Sequence, residues 1–301
     1  MSRNTMTFFR APVAAVTNLT PSFRRFTFRD DMLGSYGDPG FDQRVKVMFP
    51  TATAPIDSMP TGDDWYDRWR EMPELARPVM RTYTTRAVRN AQNEVDIDMV
   101  AHDVIGPASA WIADAQVGDE VLILAPTVEH RGVNFGIDFV PPAHTDAILL
   151  AGDETAAPAI ARILEQLPHD ARGVVVLEVP HAEDIAYLPE HPGFELVTAA
   201  REGGQHRHGH LISAVTEIAH RLAPEGVGAE VEEIDVDTDI LWEVPRTAKG
   251  GAALKRAPLY AWLAGEASAI KALRRHLVGD VGVDRRAVAF MGYWRLGRSE
   301  N

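Results

Sequence analysis

Cysteine is absent from all 301 residues. Disulfides, thiolate zinc sites and cysteine-bound iron–sulfur clusters are thereby excluded together, so any redox chemistry needs a bound organic cofactor or a metal that arrives with the substrate. Long apolar runs are also missing. None reaches membrane-spanning length, and Ala11 to Val16 is too short for a signal sequence, so a cytoplasmic chain without stable membrane association is expected. Cations are scarce, with 30 Lys and Arg against 43 Asp and Glu and a net charge of −13. That balance disfavours nucleic acid or an anionic membrane as partner, and it makes clustered cations in a cleft more informative. No G-x-G-x-x-G fingerprint and no internal repeat is present.

What is present divides into two rhythms. The apolar fraction of 46% is enough for two ordinary domains, each with its own core. Up to about residue 140 the chain reads as short strands: Phe23 to Phe28, Arg44 to Phe49 and Glu94 to Met99 alternate, punctuated by Gly, Pro and Asp. That pattern predicts an antiparallel barrel over 1–140, with a short helix carrying Trp65, Tyr66 and Trp69 packed on it. Beyond it, apolar runs at Ala147 to Leu150, Gly173 to Val179 and Leu259 to Ala264 alternate with helical spacing over Ala156 to Leu167, Leu211 to Leu222 and Ala267 to Val278. Such alternation predicts a parallel α/β sheet over 141–301, hinged at Pro141-Pro142.

The segment Arg81-Thr82-Tyr83-Thr84-Thr85-Arg86 places two permanent cations, an aromatic ring and three hydroxyls on one strand. Arginine forks bind phosphate oxygens, a tyrosine face lies against a flat heterocycle, and a threonine hydroxyl reaches a ring nitrogen, which together are the needs of a flavin dinucleotide. An exposed strand of Thr and Arg that holds no ligand is the other reading of the same six residues. Downstream, His102 precedes Gly106-Pro107-Ala108-Ser109 and Trp111. Pro107 suits a first helical turn and Gly106 lets the chain turn into it, so unpaired amides there would favour a pyrophosphate.

In the second half, Gly152-Asp153-Glu154-Thr155-Ala156 stands at the carboxyl end of the first predicted strand, where open α/β sheets take ligands. Gly152 would allow a tight turn, and Thr155 with the following amides could meet phosphate or nicotinamide groups. Asp153 and Glu154 either receive ribose hydroxyls or form an acidic first helical turn. Ala264-Gly265-Glu266 repeats a Gly-acid pair at a strand end, where a nicotinamide ring would lie. Tyr293-Trp294-Arg295 near the end reads as a docking strand or as a tail against a flavin ring system.

In order and across most of the chain, Arg81-x-Tyr83-Thr84-x-Arg86, Gly106-Pro107-Ala108-Ser109, Gly152-Asp153-Glu154-Thr155 and Gly292-Tyr293-Trp294-Arg295 resemble the siderophore-interacting protein family. These are FAD-dependent ferric-siderophore reductases of the ferredoxin-reductase-like superfamily. The resemblance implies a Greek-key FAD-binding barrel followed by an α/β domain that receives NADH or NADPH. It implies that Arg81 and Arg86 hold the FAD phosphates, Tyr83 packs on the isoalloxazine, Thr84 bonds near its reactive nitrogen, and the loop from His102 to Ser109 completes the phosphate site. It further implies a ferric siderophore as partner, with Lys46, Arg131 and Arg295 as the cations that attract it. A flavin reductase serving another partner, or a siderophore-binding flavoprotein without catalysis, shares the same cofactor motifs. Departures from the family are Leu296 in place of a polar residue and a long acidic insert from Gly226 to Arg256.

The acids of Glu178 to Asp184, at the end of the second predicted α/β strand, lean the donor towards NADH, since an NADP site usually offers Arg or Ser there. His181 or the distant Arg201 could reverse that lean. His206, His208 and His210 read as a solvent loop rather than a metal site, and Glu230 to Glu243 as a solvated edge strand.

Overall fold

The computed structural model describes residues 6–101, 106–130, 136–201, 208–223, 228, 231 and 241–297. Its first six strands are β1 (Met6–Asn18), β2 (Phe23–Arg29), β3 (Arg44–Phe49), β4 (Val79–Arg89), β5 (Glu94–Val100) and β6 (Glu120–Pro126). They close into an antiparallel barrel in the order β1-β2-β5-β4-β3-β6. The alternation legible in the sequence sets the inner face: Val45, Val47 and Phe49 of β3 meet Val95, Ile97 and Met99 of β5 in one core with Phe9, Phe26 and Ile123. Between β3 and β4, helix α1 (Trp65–Glu71) buries Trp69 against Met48 and Met59 on the barrel's outside, and the Trp69 indole donates to Pro78 O at 3.0 Å. Helix α2 (Pro107–Asp114) caps the barrel with Ala108 and Ile112 in the core.

The rest of the chain forms β7 (His144–Asp153), α3 (Ala157–Gln166), β8 (Gly173–Val179), β9 (Phe194–Ala200), α4 (Gly209–Leu222), β10 (Trp242–Glu243), β11 (Arg256–Glu266), α5 (Ala267–Arg274) and β12 (Val288–Trp294). The sheet order is β10-β12-β11-β7-β8-β9. All neighbours are parallel except β10, which runs antiparallel to β12 with Trp242 opposite Met291. The sheet is therefore mixed rather than wholly parallel, because the insert returns along its open edge. Side chains of β7 alternate between two covered faces. Leu150 joins Ile160 and Ile163 of α3, while Leu149 and Ala151 join Leu211 and Val215 of α4 and Ile270 of α5.

The α3 face continues into the barrel, since Phe23 and Phe139 belong to its core. Buried polar clasps fix this junction. Asp42, fully buried just before β3, accepts from the amides of Asp138 and Phe139 at 3.1 and 3.0 Å and from the Trp262 indole at 2.9 Å. Burial pushes its pKa up to about 6, with the charge of Asp138 adding to the effect. On the opposite flank Asp184 accepts from the hydroxyls of Thr20 and Ser22 at 2.6 and 2.7 Å and from the Ser22 amide at 2.9 Å. Burial alone would raise the Asp184 pKa, but these donors outweigh it and hold the group below its ordinary range. Tyr187 stacks on Phe23 at 4.2 Å and donates to Asp98 at 2.7 Å. Pro141-Pro142 thus follows a segment that is tied on both sides, with the Val140 amide bonded to the Tyr260 hydroxyl at 2.9 Å.

Candidate functional site

On β4, Arg81 and Tyr83 stand opposite Val47 and Val45, on the face that carries the barrel core, while Thr82 and Thr84 stand opposite Lys46 and Arg44. Tyr83 packs edge-on to Phe49 at 5.9 Å, and Trp111 of α2 packs on the same Phe49 at 5.1 Å. Strand β4 and the Gly106 helix start, 25 residues apart by their numbers Arg81 and Gly106, are therefore brought to one place by a shared ring. At that start the Gly106 amide donates to Ser109 Oγ at 3.0 Å, and Ser109 Oγ donates to Gly106 O at 2.9 Å. Among the described residues nothing lies within 4 Å of where a Cβ on Gly106 would stand. A helix start that opens with Gly and Pro suits a diphosphate.

Thr84 is 6% exposed, and among the described residues no group hydrogen-bonds its hydroxyl. A hydroxyl that the described residues leave unused fits a ligand that supplies a partner. The chain's residues here, Arg81, Tyr83, Thr84 and the Gly106 to Ser109 turn, fit a flavin dinucleotide by this test. Arg86 is placed elsewhere. The β4 to β5 pairing shifts register between Thr85 and Ala87, and the Arg86 guanidinium reaches α3 to pair with Glu165 at 2.5 and 2.7 Å, with Asp98 at 3.5 Å. Arg81, for its part, donates from Nη1 to Met80 O at 2.8 Å. His102 and Arg131 lie outside the described residues.

The carboxyl ends of β7, β11 and β12 are joined by Asp153, which is fully buried. Its Oδ1 accepts from Thr155 N at 2.9 Å and Thr155 Oγ1 at 2.5 Å, and its Oδ2 accepts from Glu266 N at 2.9 Å and the Trp294 indole at 2.8 Å. These four protein donors fill the lone pairs that the ribose reading of Asp153 would use. Gly152 is required by close approach, since a Cβ there would sit 2.4 Å from Ala264 O and from the Ala156 methyl. Glu266 caps α5 by accepting from the Ser268 and Ala269 amides at 2.8 and 3.1 Å, and it also receives the Leu296 amide at 3.3 Å. Glu154 is 3% exposed and pairs with Arg201 at 2.7 Å, while burial beside Asp153 pushes its pKa up against the pull of Arg201.

Tyr293 lies parallel to Trp242 at 5.6 Å and edge-on to Trp262 at 6.2 Å, and its hydroxyl is buried without a hydrogen-bond partner. The Arg44 guanidinium covers the other ring of this stack, 4.3 Å from the Trp242 centroid, and pairs with Asp138 at 2.6 Å. Because Arg44 is the cross-strand neighbour of Thr84, the tail aromatic and the β4 hydroxyl approach the same junction from the two halves. Lys46 donates to Thr82 at 2.7 Å, and Arg295 is half-buried at the end of β12.

Sequence reasoning missed Asp42, Arg44, Trp242 and His208. The charged run Asp42-Gln43-Arg44 before an alternating strand was the available signal for the first two; Trp242 and His208 gain meaning only from tertiary neighbours. His208 departs from the solvent-loop reading, being 6% exposed beside Trp294 at 5.9 Å. Of the acids ending β8, Glu183 is exposed and the other two are engaged by the protein. Glu178 accepts from the His208 and Leu211 amides at 2.7 and 3.0 Å and Asp184 clasps the barrel, so the protein's own donors engage both.

Comparison with known proteins gives this site its class. A family model described as the siderophore-interacting FAD-binding domain matches residues 12–130, and one described as siderophore-interacting protein matches residues 145–297. The chain belongs to the siderophore-interacting protein family. It is 28% identical over 272 residues to the ferric vibriobactin reductase ViuB of Vibrio cholerae, covering 90% of this chain and 83% of that protein. The solved structure of the siderophore-interacting protein SipS from Aeromonas hydrophila superposes with a TM-score of 0.67 at 26% identity, over 97% of this chain and 93% of that one. A siderophore utilization protein from T. fusca shares the fold, with a TM-score of 0.69 at 24% identity over 98% and 95% of the two chains.

Proposed function

We propose that the protein is an FAD-dependent ferric-siderophore reductase that takes electrons from NADH or NADPH and releases iron as Fe(II). The observation that carries this reading is the convergence, in a chain of this family, of the Arg81-x-Tyr83-Thr84 strand and the Gly106 helix start. When bound there, FAD supplies the conversion of a two-electron hydride donor into single electrons, two of which reduce two Fe(III) ions. Arg81 and the turn from Gly106 to Ser109 would hold its phosphates, Tyr83 would pack on its ring system, and Thr84 would hydrogen-bond its edge. The turn from Gly152 to Ala156 with Glu266 would face the nicotinamide dinucleotide. Tyr293 and Trp294 would shield the junction from water, which keeps electron transfer away from solvent oxidants.

Siderophore oxygens favour hard Fe(III), so reduction weakens their hold and lets the metal leave without acid catalysis on the chelator. Lys46, Arg131 and Arg295 are the cations proposed to draw an anionic chelate against the net negative field. A nicotinamide donor puts the reaction in the cytoplasm. Among the described residues no helix is long and apolar enough to cross a membrane.

Anaerobic turnover with each nicotinamide and a panel of ferric chelates, trapping Fe(II) with a coloured ligand, tests the proposal. A rate above that of free reduced flavin supports it. Flavin that is reduced while every chelate is spared points instead to a reductase for another partner, and flavin that no nicotinamide bleaches points to a binding protein.

A further inference from the structure

We propose that the cleft between helix α2 and the chain leaving β3 is the subsite for the adenosine half of FAD, and that it makes the protein select FAD over FMN. The proposal rests on the flavin reading above and extends it to the far end of the cofactor.

Register along β4 gives the cofactor a direction. Thr84 stands opposite Arg44, Arg81 opposite Val47, and Val79 opposite Phe49, the last residue of β3. Arg44 marks the junction with the second half, where it pairs with Asp138 and covers Trp242. The ring system belongs at this Thr84 end, because the half that would bring the nicotinamide meets the barrel there. Three residues separate Thr84 from Arg81, about 10 Å of strand, which is long enough for a ribityl chain. About 7 Å further on, the pair of strands reaches Val79 and Phe49. A dinucleotide laid along β4 therefore delivers its second nucleoside beside Pro50.

Open space lies at that place. A cleft of about 330 Å³ is walled on one side by Pro107, Ala110, Trp111 and Asp114 and on the other by Pro50 and Thr51. The four α2 residues follow one another at spacings of three and four, so they share one face of the helix that starts at the Gly106 turn. Phosphates at the turn and a base in the cleft would use successive turns of a single helix. Both walls are fixed without a ligand. Thr51 N donates to Ala54 O at 2.9 Å and Thr51 Oγ1 accepts from the Ala54 amide at 3.0 Å, while the Trp111 ring packs on Phe26 and Phe49, each at 5.1 Å. Walls held in this way lose little freedom when a ligand enters.

The lining suits a nucleobase. Pro50, Ala110, Trp111 and Ala115 offer apolar surface to a flat heterocycle. Asp114 and Asp119 also line the cleft and are exposed, so their carboxylates can accept from the amino group of adenine. The Gln116 amide donates to Asp119 Oδ2 at 2.8 Å, which holds that acid in place. FMN ends at its phosphate and brings neither the flat base nor the amino donor.

Titration of the flavin-stripped protein with FAD and with FMN, read by flavin fluorescence, tests this apart from turnover. FAD should bind at least ~10-fold tighter, the scale of one base laid against an aromatic ring. Ala110→Leu fills the cleft from α2. It should bring FAD to within ~3-fold of FMN and leave FMN within ~3-fold of its affinity for the unaltered protein. Ala52→Trp, on the exposed rim opposite, should do the same, and it keeps the test intact if the first variant fails to fold. Equal affinities for the two flavins in the unaltered protein would overturn the proposal. So would variants that keep the full preference for FAD, or that weaken FAD and FMN alike, since the cleft would then act on the half the two flavins share. A protein that selects FAD through this cleft yet reduces no ferric chelate would sink the function above and leave the subsite standing. One that reduces chelates while holding FMN as tightly as FAD would do the reverse.

Discussion

The Trp294 indole donates to Asp153 Oδ2 at 2.8 Å and so joins the tail of the chain to the end of β7. The same carboxylate takes the Glu266 amide and both donors of Thr155, which makes it the knot of three parallel strand ends. Asp153→Ala leaves four donors without an acceptor in a fully buried site. A loss of about 3 kcal/mol in urea unfolding is expected, together with an altered Trp294 emission as the tail comes loose. Unchanged emission would show that the tail is held by its backbone pairing alone.

Asp42 makes the stability of the domain junction depend on pH. Its folded pKa of about 6 lies above the ordinary carboxylate value, mainly through burial. A raised folded pKa means that the native state binds the proton more tightly, so this contribution is fully present below about pH 4 and is lost as pH rises through about 6. Two units correspond to about 3 kcal/mol. Asp42→Asn cannot titrate, so the stability of the unaltered protein relative to this variant should fall by up to that amount between pH 4 and pH 7. Urea unfolding of both proteins across the range measures it. A constant difference would show that the buried donors around Asp42, not its charge, set its contribution.

Arg86 shows where the sequence stops being legible. The strand β4 is legible from its Thr, Tyr and Arg residues, β3 and β5 from alternation, β8 from a continuous apolar run and α3 from helical spacing. The fate of Arg86 is not legible, since it depends on a register shift after Thr85 and on Glu165, 79 positions away. The acids Asp153 and Glu266 were readable as strand-end residues. Their partners are amides delivered by the parallel register that sets Gly265 opposite Gly292, and no local pattern announces that. Of the run Glu230 to Glu243, read as an edge strand, Trp242–Glu243 form the edge strand β10 while residues 230 and 232–240 lie outside the described residues, and the ring that β10 places on Tyr293 follows from tertiary packing.

A double-mutant cycle over Arg86 and Glu165 separates the two uses of this arginine. Glu165 is partly exposed, with 41% of its side chain accessible, so the pair should couple by only about 1 kcal/mol in unfolding. Glu165→Ala should keep full FAD occupancy. Arg81→Ala, by contrast, should be purified largely without flavin. If Arg86→Ala also loses flavin while Glu165→Ala retains it, Arg86 turns to the phosphates when the cofactor binds; if both retain it, the ion pair is its sole employment.

Thr84 provides the sharpest separation of flavin binding from folding. The residue is nearly buried and its hydroxyl is unused by the described residues, so replacing it by the isosteric valine removes no hydrogen bond to them. Thr84→Val should therefore unfold within about 1 kcal/mol of the unaltered protein when both are stripped of FAD. With FAD present the variant loses a hydrogen bond at the edge of the ring system, and FAD affinity should fall by ~5- to 10-fold, with a shifted flavin midpoint potential. Thr84→Ser retains the hydroxyl and should restore both. Equal FAD affinity and potential in the threonine, serine and valine proteins would remove Thr84 from the flavin site and leave Tyr83 and Arg81 as the residues of β4 that hold it.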